Sequence, residues 1–332
     1  MILIATDEAG YGPKLGPLVI AASVWRIPDE FAEDNRCDAF AALRETIVVN
    51  KARISVNDSK SIFKPKSRTG NSPTAPTVAP YHILQWVTLA GWFGCSPERQ
   101  LMHLSKDLAP YDHESLLNIP WLESFANESL DSSCAKPIWD HWDQGAAKLL
   151  GMTARVICAA EFNSLCERGL NKSDILGELT LQLVRDALDE NSPRSICRDA
   201  GEAIEVFCDR HGGRRYYAGP LQSAFDGTLI QVVNEGKGES RYNVPFQDEQ
   251  FGIRFTVKGD TFTPVAFSSM VAKYLREKSM ESLNNYFAAA HKGDTLLRPT
   301  AGYPVDADRF IEEISPIMDQ LKIEQSRLVR CR

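Results

Sequence analysis

The stretch Ile2-Leu3-Ile4-Ala5-Thr6-Asp7-Glu8-Ala9-Gly10-Tyr11-Gly12-Pro13 decides how this chain is read. A short, unalternated apolar run reads as a strand buried on both faces. It ends in two adjacent carboxylates, and the Gly- and Pro-rich turn that follows continues neither helix nor strand. Acids at the end of a buried strand sit at a sheet edge, where desolvation costs least and where sites are often built. Taken alone, the pair also reads as two solvated acids in a loop.

Working outward, Leu18 to Trp25 is a second apolar strand, close enough to the first to be its hairpin partner. Asn57-Asp58-Ser59-Lys60 opens a polar segment, and residues 64–80, with four prolines among Ser, Thr and Gly, read as a surface loop. Five of the six tryptophans (Trp86, Trp92, Trp121, Trp139, Trp142) fall between Tyr81 and Gly151, in what reads as a compact helical insertion. Ser173 is placed to cap a helix whose apolar positions Ile175, Leu176, Leu179, Leu183, Val184, Ala187 and Leu188 follow three/four spacing. A strand over Ile204 to Asp209 again ends in an acid, and the basic turn Arg210-His211-Gly212-Gly213-Arg214-Arg215 follows it. That turn reads equally as a phosphate clamp or as a solvated turn. Residues 216–257 suggest further strands or a long hairpin excursion. After Lys258-Gly259-Asp260, Pro264 suits the first turn of a helix over about 265–287, and a last amphipathic helix is expected over about 307–322.

Composition bounds the problem. With 332 residues and 43% apolar content, the chain can bury a large core and form one elaborated domain or two. No segment is apolar and long enough to span a bilayer, and Asp7-Glu8 interrupts what would otherwise be a leader-like run. Eight scattered cysteines without a Cys-x-x-Cys pair argue against a zinc ribbon and for reduced thiols in a cytoplasm. A net charge of −7 speaks against general nucleic-acid affinity but leaves room for a local basic groove.

Asp7 and Asp209 end apolar strands, Asp260 precedes a helix, and Glu8 lies just past a strand end, free of the alternation that would turn it away from Asp7. Converging acids need cations between them, and with no His or Cys cluster the fitting ions are Mg²⁺ or Mn²⁺. Two such ions about 4 Å apart would activate water and stabilise the leaving oxygen in phosphodiester cleavage. Spacing alone leaves convergence and unrelated solvated acids equally open.

Five segments in order then resemble one family. Asp7-Glu8-Ala9-Gly10-Tyr11-Gly12-Pro13 with Gly16-Pro17 resembles the opening of the type 2 ribonucleases H, the HII/HIII group. Asp58-Ser59-Lys60 is similar to its Asp-Ser-Lys motif. Lys258-Gly259-Asp260 with Ser269-Met270-Val271-Ala272-Lys273 and Arg276-Glu277 is similar to its Lys-Gly-Asp and Ser-Ile-x-Ala-Lys helix. Gly302-Tyr303-Pro304 resembles its Gly-Tyr-Pro turn, and Glu161-Phe162-Asn163 through Asn171 its approach to a helix. The resemblance implies an α/β fold, a ribonuclease H-like mixed sheet flanked by helices. The chain is expected to form one elaborated ribonuclease H-like domain over 1–332, with 64–151 as a loop plus helical insertion that the resemblance does not cover. Asp7, Glu8, Asp209 and Asp260 would be the catalytic, metal-binding acids of a two-metal Mg²⁺ or Mn²⁺ site. Gly10, Tyr11, Gly12, Lys60, Ser269, Lys273 and Tyr303 would bind nucleic acid, with Tyr303 at the cleaved junction. The partner would be an RNA–DNA hybrid or a duplex DNA containing ribonucleotides.

Two positions depart from the family. Tyr11 stands where the HII branch usually has Arg, and it lacks a guanidinium's charged, forked contacts. Arg210 replaces the customary Gly after the third acid. The expected activity is metal-dependent hydrolysis of the RNA strand of hybrids, leaving 5′-phosphate and 3′-hydroxyl ends. The alternative is a catalytically weakened binding relative, and a protein partner at the tryptophan-rich insertion is compatible with either. Gly10-x-Gly12-x-x-x-Gly16 misses the dinucleotide fingerprint by one position and carries Pro13 and Pro17 against the required helix. His291-Lys292-Gly293-Asp294 reads as a polar loop.

Overall fold

The computed structural model describes residues 1–31, 35–49, 51–57, 80–96, 98, 100–192, 195, 201–247, 249–293 and 296–331. Lys60, with Asp58, Ser59 and the loop over 64–79, lies outside the described residues, as does Asp294. The opening apolar run forms β1 (Ile2–Ala9), and the second forms β2 (Leu18–Arg26), its antiparallel neighbour from Ile2↔Arg26 to Ala9↔Val19. The strand therefore runs on through both acids to Ala9, where the sequence suggested an end before Glu8. The ladder to β2 carries it, because Asp7 and Glu8 still have backbone partners in Ala21 and Ile20.

The other strands are β3 (Lys148–Ile157), β4 (Ile204–Asp209), β5 (Gln231–Glu235), β6 (Glu239–Phe246) and β7 (Glu249–Thr256). They make one seven-stranded sheet in the order β3-β2-β1-β4-β7-β6-β5. β4 runs parallel to both β1 and β7, and the other pairs are antiparallel. Residues 216–257 are therefore part of the sheet itself. After a short helix (Ala218–Ala224) they supply its last three strands.

Alternation along β1 sends Leu3 and Ala5 into one apolar cluster and Ile2 and Ile4 into another, so both faces of the sheet are covered. On the first face lie α1 (Pro80–Cys95) and the long α4 (Thr263–Ala290); on the second lie α2 (Ala159–Glu167) and α3 (Lys172–Leu188). The cap of α3 is Asn171, two residues before the serine the periodicity suggested. Its Oδ1 accepts from the N–H groups of Ser173 and Asp174, while the Asp174 carboxylate accepts from the Asn171 N–H, a reciprocal box that Ser173 cannot build. Helix α5 (Pro304–Leu321) starts with a first-turn proline, and a short helix over Gln325–Leu328 follows it.

The insertion holds α1, several short helices and a ribbon pairing Leu101–His103 with Ser129–Asp131. Its tryptophans point inward. Trp92, Trp121 and Trp142 are buried, and Trp86 and Trp139 are half-buried against the same core. The exposed aromatic patch that a protein partner would need is not formed by these five side chains. No helix among the described residues is long and apolar enough to cross a membrane.

The turn after β1 is fixed from outside. The Gly302 carbonyl accepts from the N–H groups of Lys14 (2.8 Å) and Leu15 (3.2 Å). Gly302 has φ +84°, and a Cβ there would lie 2.4 Å from the Leu15 oxygen. Gly302→Ala is expected to cost about 2–3 kcal/mol, read as a lower urea midpoint at unchanged slope. An unchanged midpoint would mean that the turn does not depend on this contact.

Candidate active site

The β1–β4 ladder ends at Thr6↔Cys208, while β4 continues for one more residue, with Asp209 opposite Thr256 of β7. Past that point β1 and β4 are no longer paired, and Asp7, Glu8 and Asp209 all follow the last pair of that ladder. Carboxylate oxygens of Asp7, Glu8 and Asp209 lie within 4.8 Å of one another. Asp7 is buried, and Glu8 and Asp209 are half-buried.

Each acid is held by the local chain. The Glu8 N–H donates to Asp7 Oδ1 at 2.8 Å, and the Ser269 hydroxyl donates to the same carboxylate. Helix α4 is registered for this by the preceding residue, because Ser268 Oγ bonds the Ala5 carbonyl at 2.9 Å and Ser23 Oγ at 2.8 Å. On the other strand, the Gly259 N–H donates to Asp209 Oδ1 at 2.7 Å. Lys258 reaches this turn in the left-handed region (φ +58°), and a Cβ on Gly259 would sit 3.0 Å from the Asp209 Cα.

Burial, followed by the charges of Glu8 and Asp209, pushes the Asp7 carboxyl well above its ordinary range, against the opposing bonds from Ser269 and the Glu8 N–H. Three crowded carboxylates with no nitrogen or sulfur donor among them suit a hard divalent cation, which would remove their repulsion.

The structure brings together three of the four expected acids. Asp260 is buried on the short turn beside Asp209, next to Gly259, and lies outside the cluster of three. Ser269 is only 4% exposed and serves Asp7, where the resemblance implied contact with a nucleic-acid backbone. Lys273 is half-buried and pairs with Glu277 at 2.8 Å. Tyr303 is 53% exposed, with the Arg276 guanidinium 5.9 Å from its ring centre. Gly10 has φ +86°, and a Cβ on it would lie 2.9 Å from the Arg276 side chain and 2.5 Å from the Pro17 oxygen. Gly12 faces open space. Tyr11 is half-buried, and its hydroxyl lies 3.1 Å from where a Gly212 Cβ would be. Burial and the Glu8 charge push that hydroxyl up.

The basic turn is neither a free clamp nor a solvated loop. Arg210 donates to the carbonyls of Lys237 (2.7 Å) and Gly236 (3.1 Å), Arg214 bonds Ser173 and Asp174, and Arg215 donates to the Glu235 carbonyl at 2.9 Å. Two structural arginines carry no individual signal in the sequence. Arg276 stands inside a quoted motif, but its burial under Gly10 is a tertiary fact. Arg330, which donates to the Gly10 and Pro13 carbonyls, lies 320 residues from its first partner.

The chain is thus a mixed α/β protein with a carboxylate cluster at the ends of two adjacent central strands. No protein-family model matches it, and no curated protein matches it. Among solved structures it is similar to ribonuclease H2 from Pyrococcus horikoshii OT3, with 15% identity over 99% of this chain and 92% of that chain and a TM-score of 0.40. It is similar to Bst-RNase HIII in complex with Mn²⁺, with 14% identity over 99% of this chain and 66% of that one and a TM-score of 0.41. It is also similar to a chain of the PCNA:RNase HII complex from Archaeoglobus fulgidus, with 15% identity over 100% of this chain and 95% of that one and a TM-score of 0.39.

The raised Asp7 carboxyl sets a pH dependence. Folded Asp7 keeps its proton to a higher pH than an unfolded aspartate, whose ordinary value is 3.8, so its effect on metal-free stability worsens as pH rises from there through the folded value. Asp7→Asn is expected to raise the metal-free melting temperature near neutral pH by a few degrees and to flatten its pH profile. A lower melting temperature for the variant would contradict the crowding of the three carboxylates.

Proposed function

We propose that the protein is a metal-dependent endonuclease that hydrolyses the RNA strand of RNA–DNA hybrids, leaving 5′-phosphate and 3′-hydroxyl ends. The observation that carries this reading is the convergence of Asp7, Glu8 and Asp209 where the β1–β4 ladder stops. It is joined by the ordered set of motifs around it. Asp7, Glu8 and Asp209 would hold Mg²⁺ or Mn²⁺, with Asp260 on the adjoining turn as the proposed fourth acid. When bound, a pair of such ions supplies an activated water and a charge partner for the leaving oxygen.

The remaining residues bind and orient. Ser269 and the Glu8 N–H fix the Asp7 carboxylate, and the Gly259 N–H fixes that of Asp209. Lys273 is proposed to exchange Glu277 for a backbone phosphate, and Tyr303 offers an exposed ring for a sugar or base. Tyr11 takes the place of a forked cationic side chain in the first turn, so contacts there fall to the Gly10 and Gly12 backbone. A uniform hybrid is therefore the proposed preference over a single ribonucleotide in duplex DNA. Lys60 is proposed as a further phosphate contact.

The test is cleavage of a labelled uniform hybrid and of a duplex DNA with one ribonucleotide, each with Mg²⁺, Mn²⁺ or chelator. Metal-dependent cutting of the hybrid is expected, reduced at least about a hundredfold in Asp7→Asn and in Asp209→Asn. Binding of the hybrid without cutting in either metal would replace this reading with the catalytically weakened binding protein.

A further inference from the structure

The segment over Val329, Arg330 and Cys331 lies as a strap across the turn that follows β1. The Arg330 N–H donates to the Lys14 carbonyl at 2.9 Å, Val329 forms a bridge with Leu15, and the Arg330 guanidinium donates to the Gly10 and Pro13 carbonyls. One residue of α2 clamps the strap. Asn163 Nδ2 donates to the carbonyls of Ser326 (2.7 Å) and Val329 (2.8 Å), and Asn163 Oδ1 accepts from the Cys331 N–H at 2.7 Å. Cys166 stands three residues after Asn163, one turn along the same helix face. Cys166 and Cys331 pack on the same apolar cluster as Tyr11, one on the α2 face and the other on the strap that Asn163 ties to it.

The strap is docked against an opposing force. Arg330 is only 3% exposed, and its Nε and Nη1 find no partner among the described residues. Burial and the nearby Arg276 charge push its guanidinium down to about 10. Burying this cation against neutral carbonyls opposes docking, and a covalent tie would favour the docked form.

We propose that Cys166 and Cys331 are an oxidisable pair whose disulfide latches this strap, and through Arg330 the Gly10–Pro13 turn, in the docked position. The oxidant is a low-molecular-weight disulfide. The Cys331 thiolate attacks one of its sulfurs, forming a mixed disulfide and releasing one small thiol. The Cys166 sulfur, its proton passing to solvent, then attacks the Cys331 sulfur and releases the second. Two protein thiols are oxidised and one small disulfide is reduced to two thiols.

This inference goes beyond the nuclease reading, and neither of its readouts uses activity. The full chain is equilibrated with oxidised or reduced glutathione, the free thiols are alkylated and the protein is mapped by mass spectrometry. Hydrogen exchange is followed in both forms and in Cys331→Ser. A peptide joining Cys166 to Cys331 is expected, with exchange at the Lys14, Leu15 and Arg330 amides slowed about tenfold on oxidation in the native chain and unchanged in the variant. Separate alkylation of Cys166 and Cys331 after oxidation would overturn the proposal. So would a cross-link that leaves exchange in the turn unchanged.

Discussion

The parallel pairing of β1 with β4 stops at Thr6 opposite Cys208, and the character of the site follows from where it stops. One more ladder pair would close the gap between the strands. Because β2 carries β1 onward to Ala9 while β4 has left it, the two acids remain on a rigid strand beside an open edge. Asp209 completes the group from the end of β4. Ser269, the Glu8 N–H and the Gly259 N–H, which hold Asp7 and Asp209, are neutral donors. Neutral donors orient carboxylates without neutralising them, which leaves their charge for a cation.

The same economy shapes the turn after β1. Its glycines let Arg276 pass beneath Gly10, and the Gly302 carbonyl ties Lys14 and Leu15 to the segment that carries Tyr303. The half-exposed ring and the acid cluster thereby share one support. A substitution at Gly302 acts on both, although Gly302 touches neither an acid nor a ligand. The strap from Val329 to Cys331 holds the turn from its other side, so the mouth of the site is braced by chain segments distant from it in sequence.

Much of this was legible in the sequence because it is written in short-range pattern. The apolar runs ending in Asp7-Glu8 and Asp209, the three/four spacing of α3 and the first-turn proline of α4 each carry their meaning within a few residues. Other features are not local. The extension of β1 to Ala9 depends on a partner strand, and Asn171 outcompetes Ser173 as cap through a reciprocal bond with Asp174. Residues 216–257 look like an excursion until β7 is seen beside β4. The arginines after Asp209 look alike in sequence, and only tertiary carbonyls and Asp174 decide that each is a structural anchor. Arg330 offers no signal, since the loop it supports lies at the other end of the chain.

The central claim is that Asp7, Glu8 and Asp209 form a divalent-cation site. The most direct measurement is anomalous scattering from a crystal of the protein grown with Mn²⁺, recorded at the manganese edge. The account predicts a peak coordinated by carboxylate oxygens of Asp7 and Asp209, with Glu8 on the same or an adjoining ion. A well-ordered cluster that shows no peak at saturating Mn²⁺ would contradict it.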